Sequence, residues 1–555
     1  MCEGSNRSQG SRWPKPVSCP SDGRRKKPVG KTGDGIPARP TARCGARALL
    51  ARLHPALPAI IVFAAVMRVP GCFSDFWLDE IWTLSAASRL NSPIEIITRF
   101  RQDNNHHLNT LILYLVGERE HWVVYRIHSV VAGICTVVLA WFIARRAGAL
   151  EAVIASLLTA GSYLLIHFSS EARGYALAVF FAFAGFLVAR RFSETGRWLS
   201  AAVFWLCACL GFLSHLTYLH VFVGIAVWLP IRLLKTCEKK LDAAARYTRC
   251  FGVPIILLSC FYVVFIRHLV VGGGPEYDLI AILVKTLSCA GGGPAAGPIA
   301  VAAGAATAGL FLWGIGWLWQ KEPRVARGPQ PDRVSEAPRA GRKRETALGL
   351  RSEGIFHLIV VFFSPAAVLA LRRPEVLFVR YFLISIAFGY IAASYVLAHL
   401  WRRGYPARIC AGGVLLLFLV GNGINAASFF RYGHGGYLEG LRHMAAHTPG
   451  QVITMAGEHD FQTRTLVEYY QRYLPAGKEV VYFSRREYPA QGPTWLISDR
   501  FGDPGEVLAT ILDRHGNAYK LSKTLPYSGI LSGWHWFIYQ KQEPADAGPL
   551  KRKPP

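Results

Sequence analysis

Apolar residues along the chain collect into runs of about twenty, the length that crosses a bilayer core of roughly 30 Å. Candidate spans lie at 55–73, 127–144, 150–168, 174–190, 198–217, 218–234, 251–271, 298–319, 355–371, 381–400 and 409–430. The polar segments between them are mostly short, so the pattern predicts a polytopic α-helical membrane protein of about eleven transmembrane helices. Residues 273–297 break the pattern. There GGGPEYDL and GGGPAAGP flank a short apolar stretch, read as an irregular segment that partly re-enters the membrane.

From about 431 the periodicity changes. Gln451–Met455, Val480–Phe483, Thr494–Ser498 and Trp534–Tyr539 read as strands, and Asp460–Tyr473 and Glu506–Arg514 as helices. This predicts a small α/β domain over 431–545, in which Tyr469, Tyr470 and Trp495 are core residues. Residues 1–48 are rich in Pro, Gly, Ser and Arg, with eleven Lys/Arg against three Asp/Glu. They are expected to be a disordered tail, as are 320–352 and 546–555. Residues 49–430 then form the transmembrane domain.

Composition agrees with the pattern: 52% of residues are hydrophobic and 17% charged, where a soluble protein carries about a quarter charged. The formal net charge of +27 does not call for nucleic acid, because the excess falls in segments expected to face the cytoplasm. These hold Arg145-Arg146, Arg190-Arg191, the Arg232–Arg249 segment, Arg342-Lys343-Arg344 and Arg402-Arg403. A cytoplasmic N-terminus and an odd number of spans place the α/β domain outside the cell inner (plasma) membrane. The twelve cysteines show no CxxC pair and read as small buried apolar residues.

Ionisable residues gather on the expected outer face. The first outer loop, 74–108, opens with Ser74-Asp-Phe-Trp-Leu-Asp-Glu-Ile-Trp-Thr83, and carboxylates this close to hydrocarbon are costly unless paired or used. Phe76, Trp77 and Trp82 suit an interfacial aromatic belt, so ordinary anchoring is the competing reading of the loop. Asp103-Asn-Asn-His-His-Leu-Asn109 follows. A second cluster is His167-Phe-Ser-Ser-Glu-Ala-Arg-Gly-Tyr175, whose Glu171 and Arg173 otherwise simply close a helical hairpin. Ser214-His-Leu-Thr-Tyr-Leu-His220 is a third. The fourth, Arg372-Arg373-Pro-Glu-Val-Leu-Phe-Val-Arg-Tyr381, puts arginine against the positive-inside trend. An arginine fork there suits phosphate, or snorkels to lipid headgroups.

In order, WLDE at 77–80, NNHHLNTL, YRIHSVVAGICTVVLAWFIARR, SSEARGYAL and VRYFL resemble the GT-C glycosyltransferases. The likeness, over roughly 55–430, is to the bacterial group related to protein O-mannosyltransferases and aminoarabinose transferases, also described as dolichyl-phosphate-mannose mannosyltransferase-like. It implies transfer of a sugar from a polyprenyl-phosphate donor to an extracytoplasmic acceptor (protein, lipid or glycan), with inversion. Asp79 is then the general base, with Glu80 beside it as a supporting catalytic residue. His106 or His107, Glu171, Arg173, Tyr175, Arg380 and Tyr381 would bind substrate. Relatives carry His-Pro-Pro-Leu where this chain has His106-His107-Leu108, which leaves the two histidines undistinguished. No metal ligands are assigned, although some GT-C enzymes use a divalent metal. The rival readings are a transporter or flippase of lipid-linked saccharide, and a surface polysaccharide polymerase or ligase.

Overall fold

The computed structural model describes residues 55–272, 277–320, 349–372, 374, 376–502 and 505–542. The tails at 1–48 and 546–555, nearly all of 320–352 and Arg373 lie outside the described residues. Among the described residues, nine helical stretches are long and apolar enough to cross a membrane: Ala56–Phe73, Val123–Ala144, Tyr175–Thr195, Leu216–Thr236, Lys240–His268, Pro298–Gln320, Gly349–Arg372, Val379–Arg402 and Tyr405–Ala446. A tenth is broken, with Ala149–Gly161 and Tyr163–Ser169 meeting at 58°. The expected span at 198–217 is a 17-residue helix, Trp198–Ser214, at the lower end of the spanning range. The chain is a polytopic helical membrane protein with a small sheet domain at its C-terminal end.

Helix Leu383–Arg402 runs through the middle of the bundle, with every residue from Leu383 to Ala398 buried. Small residues bring its neighbours close. A Cβ on Gly314 would lie 2.1 Å from the Ala392 carbonyl oxygen, and one on Gly389 would lie 2.4 Å from the Phe311 ring. The outward faces are apolar, as at Ile255, Ile256 and Leu257, and again at Leu416, Leu417 and Val420. That is the surface a lipid-facing flank requires. The glycine-flanked segment contains helix Leu279–Gly291, capped by the Asp278 side chain. At 13 residues it is about 20 Å long, too short to cross. Its end still enters the bundle, where Tyr390 donates to the Ala290 carbonyl.

Polar side chains collect at the two ends of the bundle. At one end Arg146 pairs with Glu194 (2.7 Å) and Glu353 (3.6 Å), Arg190 with Glu353 (3.7 Å), and Arg232 with Glu194 (3.2 Å). Glu151, wholly buried, takes a two-pronged contact from Arg402 at 2.7 and 2.8 Å. The other end holds Asp79, Arg126, Arg173 and Arg380. Arg126 and Ala144 lie on one helix, eighteen residues or about 27 Å apart. Arg146, Arg190, Arg232 and Arg402, from four of the basic segments grouped in the sequence as one face, therefore share an end.

After Tyr432, Gly433 and Gly435 adopt φ of 55° and 134°, a left-handed turn open to glycine. It leads into helix Tyr437–Ala446 and a six-stranded sheet of order β2-β1-β3-β6-β5-β4. The strands are β1 Val452–Gly457, β2 Glu479–Phe483, β3 Trp495–Arg500, β4 Thr510–Leu512, β5 Ala518–Leu525 and β6 His535–Lys541. β2, β1 and β3 run parallel, and the rest are antiparallel. Helix Asp460–Tyr470 joins β1 to β2, and Tyr469, Tyr470 and Trp495 are buried as expected.

Two readings are corrected. Glu506–Arg514 is not a helix, because Asp513 anchors a tight turn ending at Gly516 (φ 87°) that pairs Thr510–Leu512 with β5. Phe76 and Trp77 are not a membrane belt. They are buried under the C-terminal domain, with Phe76 against Tyr469 and Trp77 against Trp534 at 4.6 Å.

Candidate active site

The helix Leu78–Ala87 places two adjacent carboxylates in different surroundings. Asp79 is partly exposed, and its Oδ2 lies 2.7 Å from Arg173 Nη1 and 3.7 Å from Arg380 Nη1. Asn104 locks this arrangement. Its amide donates to the Asp79 carbonyl (2.9 Å) and Thr83 Oγ1 (3.0 Å), while its carbonyl accepts from Arg173 Nη2 (2.7 Å). Arg380 is held differently, its guanidinium carbon 3.9 Å over the Phe378 ring, and its buried Nε has no hydrogen-bond partner.

Glu80 turns inward. Both of its oxygens take the Arg126 fork, at 2.8 and 2.6 Å, and each accepts one further backbone N–H, from Ala172 (2.6 Å) and Trp77 (2.9 Å). The same guanidinium donates to the carbonyls of Cys72, Ser74 and Asp75. Glu80 and Arg126 are fully buried, and together they tie the first loop to two membrane helices. Glu80 thus has no lone pair turned toward Asp79's side of the helix.

The adjacent histidines separate. His106 Nδ1 accepts the Gly174 N–H at 2.9 Å, so the ring is neutral with its proton on Nε2. Burial, then the charge of Arg173, holds its pKa well below the ordinary value. Its ring meets Tyr175 at 4.8 Å and His215 at 4.9 Å, and Arg173 stacks over Tyr175. His215, pushed down to about 3 by burial and by Arg173 and Arg380, faces Tyr381 at 5.9 Å. His107 instead packs edge-on against Phe261 and Phe265.

Asp79, His106, Arg173, Tyr175, Arg380 and Tyr381 thus come together from four separated segments. Glu171 does not join them. It turns into a buried group with His167 and His434. His220 bonds Ser364 inside the bundle, and Arg372 is exposed. Sequence reasoning passed over Arg126, Asn104 and His434. Arg126 and Asn104 lie inside the quoted motifs, and His434 sits in the glycine turn after the last span, the cue that it is folded back.

No family model matches the chain, and no curated protein matches it. Among solved structures it is similar to ArnT from Cupriavidus metallidurans in the apo state, at 12% identity and a TM-score of 0.44. It is likewise similar to the same protein bound to undecaprenyl phosphate, at 13% identity and a TM-score of 0.36. Both comparisons cover 92% of this chain and 100% of the other.

Proposed function

We propose that this protein is a GT-C-type glycosyltransferase of the cell membrane that transfers a sugar from a polyprenyl-phosphate carrier to an acceptor hydroxyl. The observation that carries this reading is Asp79, a partly exposed carboxylate set between Arg173 and Arg380 at the end of a helical bundle. A carboxylate beside two guanidiniums matches the two halves of an inverting displacement. The acceptor oxygen attacks the anomeric carbon while Asp79 takes its proton, and the carbon–oxygen bond to the phosphate breaks on the opposite face. The electron pair leaves with the lipid phosphate.

Arg173 is engaged with Asn104 and Asp79, and so orients the base. Arg380, the looser of the two, receives the phosphate and stabilises its added charge. The Nε2–H of His106 is the neighbouring donor for phosphate or sugar. Glu80 holds the loop rather than reacting. The end carrying Asp79 faces outward by the positive-inside rule, since Arg146, Arg190, Arg232 and Arg402 share the other end.

The test is transfer from labelled polyprenyl-phosphate sugars in membranes, comparing wild type with Asp79→Asn. Loss of the base lowers the rate by about 10²–10⁴-fold. Undiminished transfer by the variant removes Asp79 from this role.

A further inference from the structure

Beneath the junction between the bundle and the C-terminal domain lies a second cluster that the transfer reaction does not use. His167 sits in the last turn of helix Tyr163–Ser169, Glu171 in the turn that follows, and His434 in the glycine turn after Tyr432. All three side chains are completely buried. Glu171 Oε1 lies 3.0 Å from His167 Nε2 and 3.9 Å from His434 Nε2, and one ligand atom from each residue falls within 4.8 Å of the other two. Inside the group only His167 Nε2 and Glu171 Oε1 are close enough to share a hydrogen bond, and His167 Nδ1, Glu171 Oε2 and His434 Nε2 have no partner. The surroundings are apolar rings: Phe429 at 4.5 Å and Phe168 at 5.0 Å from His167, and Trp77 at 6.0 Å from His434. Buried polar atoms without partners are rare, and several in one place call for an occupant.

We propose that His167, Glu171 and His434 form a binding site for one divalent transition-metal ion, zinc by its donor set. Bonds of about 2.0–2.1 Å in tetrahedral geometry put neighbouring ligand atoms about 3.3 Å apart, between the two separations seen here. His434 is oriented for the task. Its Nδ1 lies 3.1 Å from the Ser532 carbonyl, which only accepts, so Nδ1 carries the proton and Nε2 presents its lone pair inward. Metal-bound histidines are commonly held by such an outer partner. Two imidazoles and one carboxylate disfavour magnesium and calcium, which take oxygen ligands, and suit zinc. Asp79 contacts none of the three, so the ion is a structural cross-link. It ties the turn before helix Tyr175–Thr195 to the first residues of the C-terminal domain.

The proposal does not depend on the transferase reading, because its readout is metal content. Untagged full-length protein, purified in detergent and dialysed after equilibration with zinc, is analysed by elemental mass spectrometry. About one zinc per wild-type chain is expected, with loss in His167→Ala and in His434→Ala. Stripping wild type with a strong chelator lowers its melting temperature, and returned zinc restores it, whereas His434→Ala responds to neither. Substoichiometric metal in wild type overturns the proposal, as does full occupancy in His434→Ala. The wild-type measurement decides alone if a variant does not fold.

Discussion

Replacing Glu80 by Gln tests whether its adjacent carboxylate is structural or reactive. In the native site Oε1 receives Arg126 Nε and the Ala172 N–H, and Oε2 receives Arg126 Nη2 and the Trp77 N–H. A carboxamide has one oxygen. Whichever way it is turned, its NH2 faces two donors and strands both, and Arg126 keeps a buried charge without its counterion. Breaking a buried pair from one side costs about 3–5 kcal/mol. If the pair breaks before the unfolding transition state, irreversible unfolding accelerates by about 10²–10⁴-fold. Unfolding half-lives in detergent at a fixed temperature measure this. Arg126→Met is expected to be similarly unstable. The double variant is expected to be more stable than the sum of the two singles implies, because it leaves no unpaired charge. A Glu80→Gln protein with wild-type half-life and no transfer activity would refute the structural assignment and make Glu80 a reacting group.

Two further outcomes follow from neighbouring contacts. Burial pushes Asp75 up to about 6, although its Oδ2 accepts the Leu438 N–H at 3.0 Å. A carboxyl raised above its unfolded value of about 4 binds more protons when folded, so its effect is to lower stability as pH rises from about 4 to 6. Melting curves across that range should lose this component of their slope in Asp75→Asn. Gly174→Ala should fold poorly or lose transfer, since its Cβ would lie 1.9 Å from the Ser214 carbonyl oxygen and 2.9 Å from His106 Cβ. Gly174 has φ of −74°, so the obstacle is space rather than backbone strain. A fully active, equally stable alanine variant would show that the Ser214 turn yields.

The membrane fold was legible because span length and charge sidedness are one-dimensional signals, and both survive in the helices and in the shared end of the basic loops. That Asp79, Arg173 and Arg380 share one face was legible by motif order, and the three side chains do meet. The partition of labour was not. Asp79 and Glu80 are adjacent in sequence, and only the helix direction and Arg126, 46 residues on, give one to the site and the other to the core. The same applies to His106 and His107, which diverge at a helix start. Trp77 read as an interfacial anchor because composition alone does not distinguish a lipid headgroup region from the underside of a second domain. Glu506–Arg514 read as a helix because the Gly516 turn that makes a hairpin lies just beyond it.

These placements also give the C-terminal domain a part in shaping the site. The loop that bears Asp79 is gripped from the membrane side by Arg126 and from the other side by the domain. Tyr470 donates to the Phe76 carbonyl at 2.9 Å, Leu438 N–H donates to Asp75, and Trp534 covers Trp77. Trp122 closes the same loop from the membrane domain, donating to Ser74 at 3.0 Å. On the proposed function, a base held this way loses little freedom on meeting substrate, and a displacement of about 1 Å at the reacting atoms costs about 10²-fold in rate. The domain is therefore bound into the geometry of Asp79. On the same proposal, substitutions at Tyr470 or Trp534, which lie outside the site, would act on turnover through the loop and not through any contact with sugar.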